Sequence, residues 1–337
     1  MDAKADGAQR KTGRKRRRNA PVLAALDLGT NNCRLLIAEP TRRGNLRIVD
    51  SFSRIVRLGE GVAATGSLSP AAMDRTVAAL RVCAQRLKSR GVQYVRAIAT
   101  EACRRASNTE ELVERVLRET GIELFVISVE EEARLAALGC SPLIDTEGEG
   151  AIIFDIGGGS TEVIWMRRDR DGEMRVAVAA SEPVGVVVLS EIWGGAVDRK
   201  AFNQMHAELR ERFRSVKAMM NAVAPFDSEA HHLLGTSGTV TTLAGVSLGL
   251  PRYNRTRVDG SWHDCRDLAG VINRLVESDL ETRASMGCVG RDRADLMIPG
   301  CAIYAAVQEQ WPCKRLRVAD RGLREGLLRD LMAEHRA

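Results

Sequence analysis

Residues 152–162 read IIFDIGGGSTE, and this stretch decides how the chain folds. Its apolar start predicts a buried strand, and Asp155 places a carboxylate at the end of that strand. The three glycines that follow let backbone N–H groups approach an oxygen-rich anion closely. Glu162 begins the next apolar run seven residues after Asp155. Two carboxylates around a glycine turn indicate a phosphate held with a divalent cation. The alternative is a tight hairpin whose glycines adopt positive φ.

An earlier segment repeats this order. Residues 23–32 read LAALDLGTNN, again an apolar run, an Asp, an apolar residue, a Gly and small polar residues. Asp27 matches Asp155, which lies 128 positions later. Because a strand, a turn and a second strand are predicted both times, we interpret the similarity as an internal repeat at the scale of a domain.

Helix and strand patterns alternate along the rest of the chain. Residues 69–91 predict a helix with Ser69 as N-cap, Pro70 in the first turn and Gly91 as the stop signal. Further strands are predicted at 92–100, 122–128, 151–166 and 175–183, and further helices at 107–121, 130–139 and about 198–222, before the strand, glycine turn and helix of HHLLGTSGTVTTLAG. The alternation predicts an α/β fold in two lobes. We expect lobe I to span residues 21–137 and lobe II residues 138–337, with the last helix free to return to lobe I.

The composition fits a globular chain. Its 337 residues, 45% of them apolar, are enough for two cores. No apolar run approaches the roughly 18 residues of a membrane span, and no apolar signal segment opens the chain. We therefore expect a cytoplasmic protein that does not bind membranes. The eight cysteines are scattered without a C-x-x-C pair, which predicts reduced, buried side chains: Cys33, Cys83, Cys103, Cys140, Cys265, Cys288, Cys301 and Cys313.

The positive charge is concentrated at the N-terminus. Residues 1–20 contain eight Lys or Arg and two Asp, which accounts for the whole net charge of +6. Such a segment has nothing to bury and repels itself, so we expect residues 1–20 to be a disordered basic tail. It can serve as an electrostatic arm for a polyanion, such as a nucleic acid, lipid headgroups or polyphosphate, or as a solubilising leader.

Five segments in order resemble the exopolyphosphatase and guanosine pentaphosphate phosphohydrolase (Ppx/GppA) family, a branch of the actin, Hsp70 and sugar kinase superfamily. They are LDLGTNNCRLLI, EEEARLAALG, FDIGGGSTE, LLGTSGTVTTLAG and DRGLREGLL, and the resemblance runs from about residue 21 to about residue 330. It implies two ribonuclease-H-like lobes, as in actin-like ATPases, with a catalytic cleft between them.

The resemblance also implies site residues. Glu132 matches the acid that activates water, Arg104 matches an arginine that contacts phosphate, and Asp155 and Glu162 match acids that bind Mg²⁺ or another divalent cation. As a carboxylate in the first turn of a helix, Glu132 is expected to stay ionised. The phosphate-binding turns would be Asp27, Gly29, Thr30 and Asn31; Gly157, Gly158, Gly159, Ser160 and Thr161; and Gly235, Thr236, Ser237, Gly238 and Thr239.

Each assignment has a plainer alternative. Glu132 can be only a partner of the helix dipole, and Arg104 with Arg105 can form a solvated pair. Residues 235–239 can be an ordinary strand-to-helix turn. The chain also departs from the family pattern after the first turn, where Asn32, Cys33 and Arg34 stand in place of a Ser followed by Val or Phe.

The expected function is exopolyphosphatase activity, a hydrolase that releases orthophosphate from the end of polyphosphate by metal-assisted attack of water. The first alternative substrate is guanosine pentaphosphate, and the second alternative is a regulator that binds nucleotide without hydrolysis. The family resemblance also suggests a homodimer. The chain has no G-x-x-x-x-G-K-[ST] loop and no G-x-G-x-x-G spacing that would indicate a Walker or Rossmann nucleotide site.

The basic tail gives a first prediction. A flexible cationic tether helps a long polyanion through counterion release and raised local concentration, but it hardly helps a single nucleotide. Deletion of residues 1–19 should weaken binding of long-chain polyphosphate, flatten its salt dependence and leave guanosine pentaphosphate hydrolysis nearly unaltered. Steady-state kinetics of both proteins at low and high salt measure this. If the full-length and truncated proteins show equal kinetics on long-chain polyphosphate at low salt, the tail does not bind substrate and the interpretation as a solubilising leader is favoured.

Overall fold

A computed structural model describes residues 20–41, 44–194 and 197–335. The predicted basic tail lies outside the described residues, except for Ala20. The described chain contains two mixed β-sheets, each covered by helices. This confirms the α/β fold in two lobes, and the lobes are built on the two repeats seen in the sequence.

Lobe I is formed by a five-stranded sheet in the order β3-β2-β1-β4-β5. Its strands are β1 (Leu23–Leu28), β2 (Asn32–Pro40), β3 (Leu46–Ile55), β4 (Tyr94–Ala99) and β5 (Leu124–Val126). Its helices are α1 (Val62–Thr65), α2 (Pro70–Ser89), α3 (Glu101–Arg105) and α4 (Thr109–Thr120). The Ser69 hydroxyl caps α2 by accepting a hydrogen bond from the Ala72 amide at 3.2 Å. Gly91 follows α2 with φ 60°, as the predicted stop signal requires.

Lobe II is formed by a six-stranded sheet in the order β10-β11-β9-β6-β7-β8. Its strands are β6 (Gly150–Ile156), β7 (Thr161–Arg168), β8 (Met174–Glu182), β9 (His231–Thr236), β10 (Trp262–Asp264) and β11 (Arg315–Ala319). The remaining helices are α5 (Val129–Cys140), α6 (Val186–Trp193), α7 (Arg199–Asn221), α8 (Gly238–Ser247), α9 (Arg255–Val258), α10 (Cys265–Glu277), α11 (Leu280–Ser285), α12 (Met297–Gln310) and α13 (Leu323–Glu334).

The two sheets have the same topology, apart from one strand. In lobe I the antiparallel hairpin of β1 and β2 is extended by β3, and β4 and β5 pair in parallel on the other side of β1. In lobe II β6, β7 and β8 repeat the hairpin and its extension, while β9 and β11 repeat the parallel side. Strand β10 adds an antiparallel edge to lobe II. The internal repeat of the sequence is therefore a repeat of structure.

Two helices exchange places between the lobes. Helix α5 follows the last strand of lobe I but packs on β6, β7 and β8 of lobe II. Helix α13 follows the last strand of lobe II but packs on β1, β2 and β4 of lobe I. Leu323, Leu327 and Leu328 of α13 share a buried cluster with Leu23 and Leu36 of the first hairpin. The exchange ties the lobes together along one side of the cleft.

The cores of both lobes are apolar, which agrees with the two cores expected from the composition. The core of lobe II includes the fully buried Trp165, Trp311 and Tyr304. All eight cysteines are buried and free of disulfide bonds, which agrees with their predicted role as small apolar side chains. Among the described helices, none is both long and apolar enough to cross a membrane.

Candidate active site

A cleft of about 450 Å³ lies between the lobes. Its walls are made at the carboxyl ends of the parallel strands, which is where open α/β sheets place their ligand sites. Residues from the three predicted phosphate-binding turns line it together with Glu132, Asp155 and Glu162. Thr161 and Gly235 belong to the turns in sequence but are not among these lining residues.

The two hairpin turns pack directly against each other. A Cβ added to Gly159 would lie 2.6 Å from the Thr30 hydroxyl, and one added to Gly158 would lie 3.1 Å from the Thr30 Cβ. Glycines 157–159 are not among the residues with positive φ. The alternative prediction, a tight hairpin whose glycines adopt positive φ, is therefore wrong for this turn. Gly158 and Gly159 are needed because the turn from lobe I occupies the space of their side chains, whereas a Cβ on Gly157 would lie 2.9 Å from the Ser160 carbonyl oxygen of its own turn.

The hairpins place charged side chains in matched rows. Asp27 on β1 pairs with Arg34 on β2, and Asp155 on β6 pairs with Glu162 on β7. Cross-strand partners point to the same face of a sheet, so both rows face the cleft. Each Asp is followed by its partner after seven residues. At equivalent positions, lobe I thus carries a guanidinium and lobe II a carboxylate.

The carboxyl groups in the cleft repel one another. Desolvation raises the pKa of Asp155 to about 6, and Arg34 opposes that rise. Desolvation and the neighbouring Asp155 raise the pKa of Glu162 to about 7. The pKa of Asp27 is raised for the same first reason, desolvation. One oxygen of Glu162 accepts hydrogen bonds from the hydroxyls of Ser160, at 2.6 Å, and Ser181, at 2.9 Å. These hydroxyls hold the Glu162 side chain in place.

Glu132 is held by Arg104. It lies in the first turn of α5, and its Oε2 accepts a hydrogen bond of 2.7 Å from the Arg104 guanidinium. Arg104 also donates to Glu101 at 2.9 Å and to the Ile127 carbonyl at 3.1 Å. It is not among the residues that line the cleft. The structure thus places Arg104 beside Glu132, where it orients that carboxylate, and its contact with phosphate stays a prediction.

The electrostatics of Glu132 differ from the expectation based on the helix dipole. Desolvation and the nearby Glu162 raise the pKa of Glu132 well above its ordinary value, while Arg104 lowers it. The cleft outweighs the favourable effect of the helix N-terminus, because burial and a second carboxylate both disfavour the anion. Arg104, at hydrogen-bond distance, lowers the pKa of Glu132 and so opposes the effects of burial and of Glu162.

The third turn carries backbone strain and an unpaired hydroxyl. Ser237 has φ 108°, which is unfavourable for a residue with a Cβ. Its buried hydroxyl has no hydrogen-bond partner among the described residues, and neither does the buried Oδ1 of Asn31 in the first turn. Both residues line the cleft. Strain and unsatisfied polar atoms are features of a turn that is shaped for a ligand.

Other predicted turn residues have structural contacts. The Thr161 hydroxyl donates to the Val184 carbonyl at 2.7 Å, and the Thr236 hydroxyl donates to the Arg321 carbonyl at 2.9 Å. A Cβ on Gly235 would lie 2.6 Å from the ring of Phe154. For Gly235 the plainer interpretation, close packing below a strand-to-helix turn, describes what the structure shows.

Among the described residues, five arginines line the cleft, and no sequence motif marked them as site residues. They are Arg34, Arg255, Arg293, Arg321 and Arg324. Arg255 is paired with Asp320 and Glu325, and Arg321 with Asp259. No carboxylate of the described residues lies within 4.0 Å of the other three guanidinium groups. The repeat offered a signal for Arg34, since it occupies the position of Glu162, but no local motif marked Arg293.

The fold and the cleft define a two-lobed, actin-like protein with a polar cleft between its lobes. The chain belongs to the Ppx/GppA phosphatase family, whose profile matches residues 36–335. This confirms the resemblance inferred from the motifs.

Individual relatives match nearly the whole chain. Exopolyphosphatase 2 of Mycobacterium tuberculosis is 30% identical over 319 residues, which cover 90% of this chain and 97% of the relative. A guanosine-5'-triphosphate,3'-diphosphate pyrophosphatase of Aeromonas hydrophila is 28% identical and covers 94% of this chain, which spans 60% of that longer protein. The crystal structure of the Aquifex aeolicus family member superimposes with a TM-score of 0.77 at 30% identity, and covers 94% of this chain and 99% of its own.

The contact between Arg104 and Glu132 gives a second prediction. We predict that Glu132 must be ionised for phosphate release, so activity falls as the pH drops through its pKa. Replacing Arg104 by Gln removes a cation that lowers this pKa. The acid limb of the kcat/KM profile should therefore move to higher pH, by about 1–3 units for a lost contact charge. Arg104→Lys should restore part of the shift.

The neighbouring Arg105→Gln serves as the control, because Arg105 is exposed and makes no ion pair in the described structure. A lower kcat with an unchanged acid limb in Arg104→Gln would show that Arg104 does not act through the ionisation of Glu132.

Proposed function

We propose that the protein is an exopolyphosphatase, a phosphoanhydride hydrolase that removes the terminal phosphate of polyphosphate. The observation that carries the proposal is the convergence of Glu132, Asp155 and Glu162 on two glycine-containing turns in one cleft. Phosphoryl transfer depends on positioning and charge neutralisation more than on covalent chemistry. The names of relatives such as exopolyphosphatase 2 support the same activity. A regulator without turnover has no use for a desolvated carboxylate held by an arginine.

The carboxylates suit a divalent cation that is shared with the substrate. Asp27, Asp155 and Glu162 offer hard oxygen ligands, and the positive charge of a cation would relieve the repulsion that raises the pKa of Glu162. Within the described residues, no three His, Cys, Asp or Glu side chains are placed to enclose a metal by themselves. Mg²⁺ commonly uses one or two carboxylates and completes its coordination with water and phosphate oxygens. A bound cation would offset the charge of the phosphate under attack.

Glu132 is the proposed general base. Its carboxylate accepts a proton from the attacking water, and its raised pKa brings it closer to the working pH of a base. Arg104 holds the carboxylate in position and stabilises its ionised form between turnovers. The Gly29 and Gly157 amides donate to the Asn32 and Ser160 carbonyls within their own turns. Phosphate oxygens would therefore be held by other N–H groups of the two hairpin turns and by the Ser237 hydroxyl. No covalent intermediate is required.

Guanosine pentaphosphate is the second candidate substrate, and one feature of the cleft favours it. Beyond the third turn, the lining includes Tyr253, Leu296 and Met297. An aromatic ring with apolar neighbours can stack against a nucleobase. Arg293 lies beside Gly238 of the third turn, next to these residues of the lining. The family includes a pyrophosphatase that is named for this nucleotide.

We also propose that the protein forms a homodimer. The role of residues 1–19 in binding polyanions stays a prediction.

The proposed base gives a third prediction. Glu132→Gln should keep the fold and lose phosphate release by on the order of 10²-fold or more, as for other general bases. Release of orthophosphate from polyphosphate and from guanosine pentaphosphate, at matched concentrations with and without Mg²⁺, measures both the activity and the substrate preference. Glu130→Gln is the matched control, because Glu130 is an exposed acid in the same helical turn. Near-normal activity of Glu132→Gln would assign the base elsewhere, and an inactive wild type would reject the hydrolase.

The cation site gives a fourth prediction. Asp155→Asn and Glu162→Gln should each raise the Mg²⁺ concentration required for half-maximal rate, because each removes one charged oxygen ligand. Titration of the rate with Mg²⁺ at saturating substrate measures the change. Asp145→Asn is a control at an acid that does not line the cleft. An unchanged Mg²⁺ requirement in both variants would place the cation at other residues.

A further inference from the structure

The cleft extends beyond the acids onto the edge strand of lobe I. Asp27 on β1 pairs with Arg34 on β2, and Arg34 pairs with Ser53 on β3. The next row contains Leu36 and Ser51, which also pair with each other. All five residues line the cleft. Since adjacent strands lie about 4.8 Å apart, this row leads over about 10 Å from the acid cluster to an open sheet edge.

The equivalent row of lobe II ends differently. There Ser181 occupies the position of Ser53, and its hydroxyl donates to Glu162. In lobe I the cross-strand neighbour of Ser53 is Arg34, which is itself a hydrogen-bond donor and does not require the Ser53 hydroxyl as a partner. Ser51 and Ser53 are both exposed. Their hydroxyls are free to serve a ligand that passes over them. The lobe II row therefore holds a carboxylate in place, whereas the lobe I row presents donors to the cleft.

The charges along this row suit a chain of anions. Arg34 and Arg324 lie close enough for Arg34 to lower the pKa of Arg324 further, after desolvation has lowered it. Neither guanidinium has a carboxylate within 4.0 Å among the described residues. The lining residues of β2 and β3 include no acid. Asp50, which adjoins Ser51, is neutralised by Arg86 and Arg90.

The part of the cleft around Arg255 is less suited to repeated phosphates. Asp320 and Glu325 line the cleft there, and they already neutralise Arg255. A second and third anionic group would meet these carboxylates there. The β3 edge presents hydroxyls and an unpaired guanidinium instead.

We propose that a polyphosphate chain, with its end at the acids, leaves the cleft along Arg34 and Ser53 and crosses the β3 edge at Ser51. This inference rests on the proposed hydrolase function and adds the path of the substrate. The path is open at the sheet edge, so chain length is not limited by a closed pocket. Phosphates beyond the cleft are bound by hydroxyl and guanidinium donors, which recognise the backbone of the chain and not its end.

A charge placed at Ser53 tests the path. Ser53→Asp should repel a chain that crosses it, so kcat/KM should fall at least tenfold more for long-chain polyphosphate than for tripolyphosphate. Ser53→Lys should act in the opposite direction and lower the KM for long chains. Both effects should shrink at high ionic strength, because exposed charges are screened. Ser215→Asp on α7, an exposed serine remote from the cleft, is the matched control and should behave as wild type.

The outcomes separate this inference from the proposed function. If the wild type releases phosphate from neither polyphosphate nor guanosine pentaphosphate, the proposed hydrolase function and the path are both rejected. An active wild type whose Ser53→Asp and Ser53→Lys variants show no change, or equal changes on long and short chains, rejects the path alone. Opposite shifts of the two variants on long chains support it.

Discussion

The close crossing of α5 and α13 is the constraint on which the cleft depends. A Cβ on Gly139 would lie 1.9 Å from the Gly322 carbonyl oxygen, and one on Gly326 would lie 2.0 Å from the Leu135 carbonyl oxygen. Each helix packs on the sheet of the lobe that it does not follow in sequence. Glu132, the proposed general base, lies in the first turn of α5, and two charged residues of the cleft lie in the first turn of α13. Two missing side chains therefore set both the separation of the lobes and the position of the chemistry.

Much of this architecture follows from local sequence patterns. The hairpins were predictable because an apolar run, an Asp and a glycine turn occur twice, and the topology repeats around them. The ends of α2 were predictable because Ser69 and Gly91 act within one helical turn. The acids at Asp155 and Glu162 were predictable because a strand end fixes where a side chain points. All of these signals are contained in fewer than about ten neighbouring residues.

What the sequence did not reveal depends on contacts between distant segments. The family resemblance assigned Arg104 to phosphate but did not reveal its hydrogen bond to Glu132, because the two residues are 28 positions apart and the bond is a tertiary contact. The helix N-terminus suggested an ionised Glu132, but burial and the carboxylate of Glu162, which is distant in sequence, both oppose its ionisation. Close approach to an anion or positive φ was the expected reason for glycines 157–159, whereas Gly158 and Gly159 also make room for the turn around Thr30. Burial and charge in a cleft between repeats are properties of the pair of lobes.

The repeat also explains how one cleft can hold both a cation and an anion. Residues 34 and 162 occupy equivalent places in two similar hairpins, yet one is an arginine and the other a glutamate. A symmetric pair of acids would concentrate negative charge where phosphate must bind, and a symmetric pair of arginines would leave no ligand for a metal. Opposite charges at equivalent positions put a guanidinium on the lobe I hairpin and a carboxylate on the lobe II hairpin, so one cleft presents groups that suit both an anion and a cation.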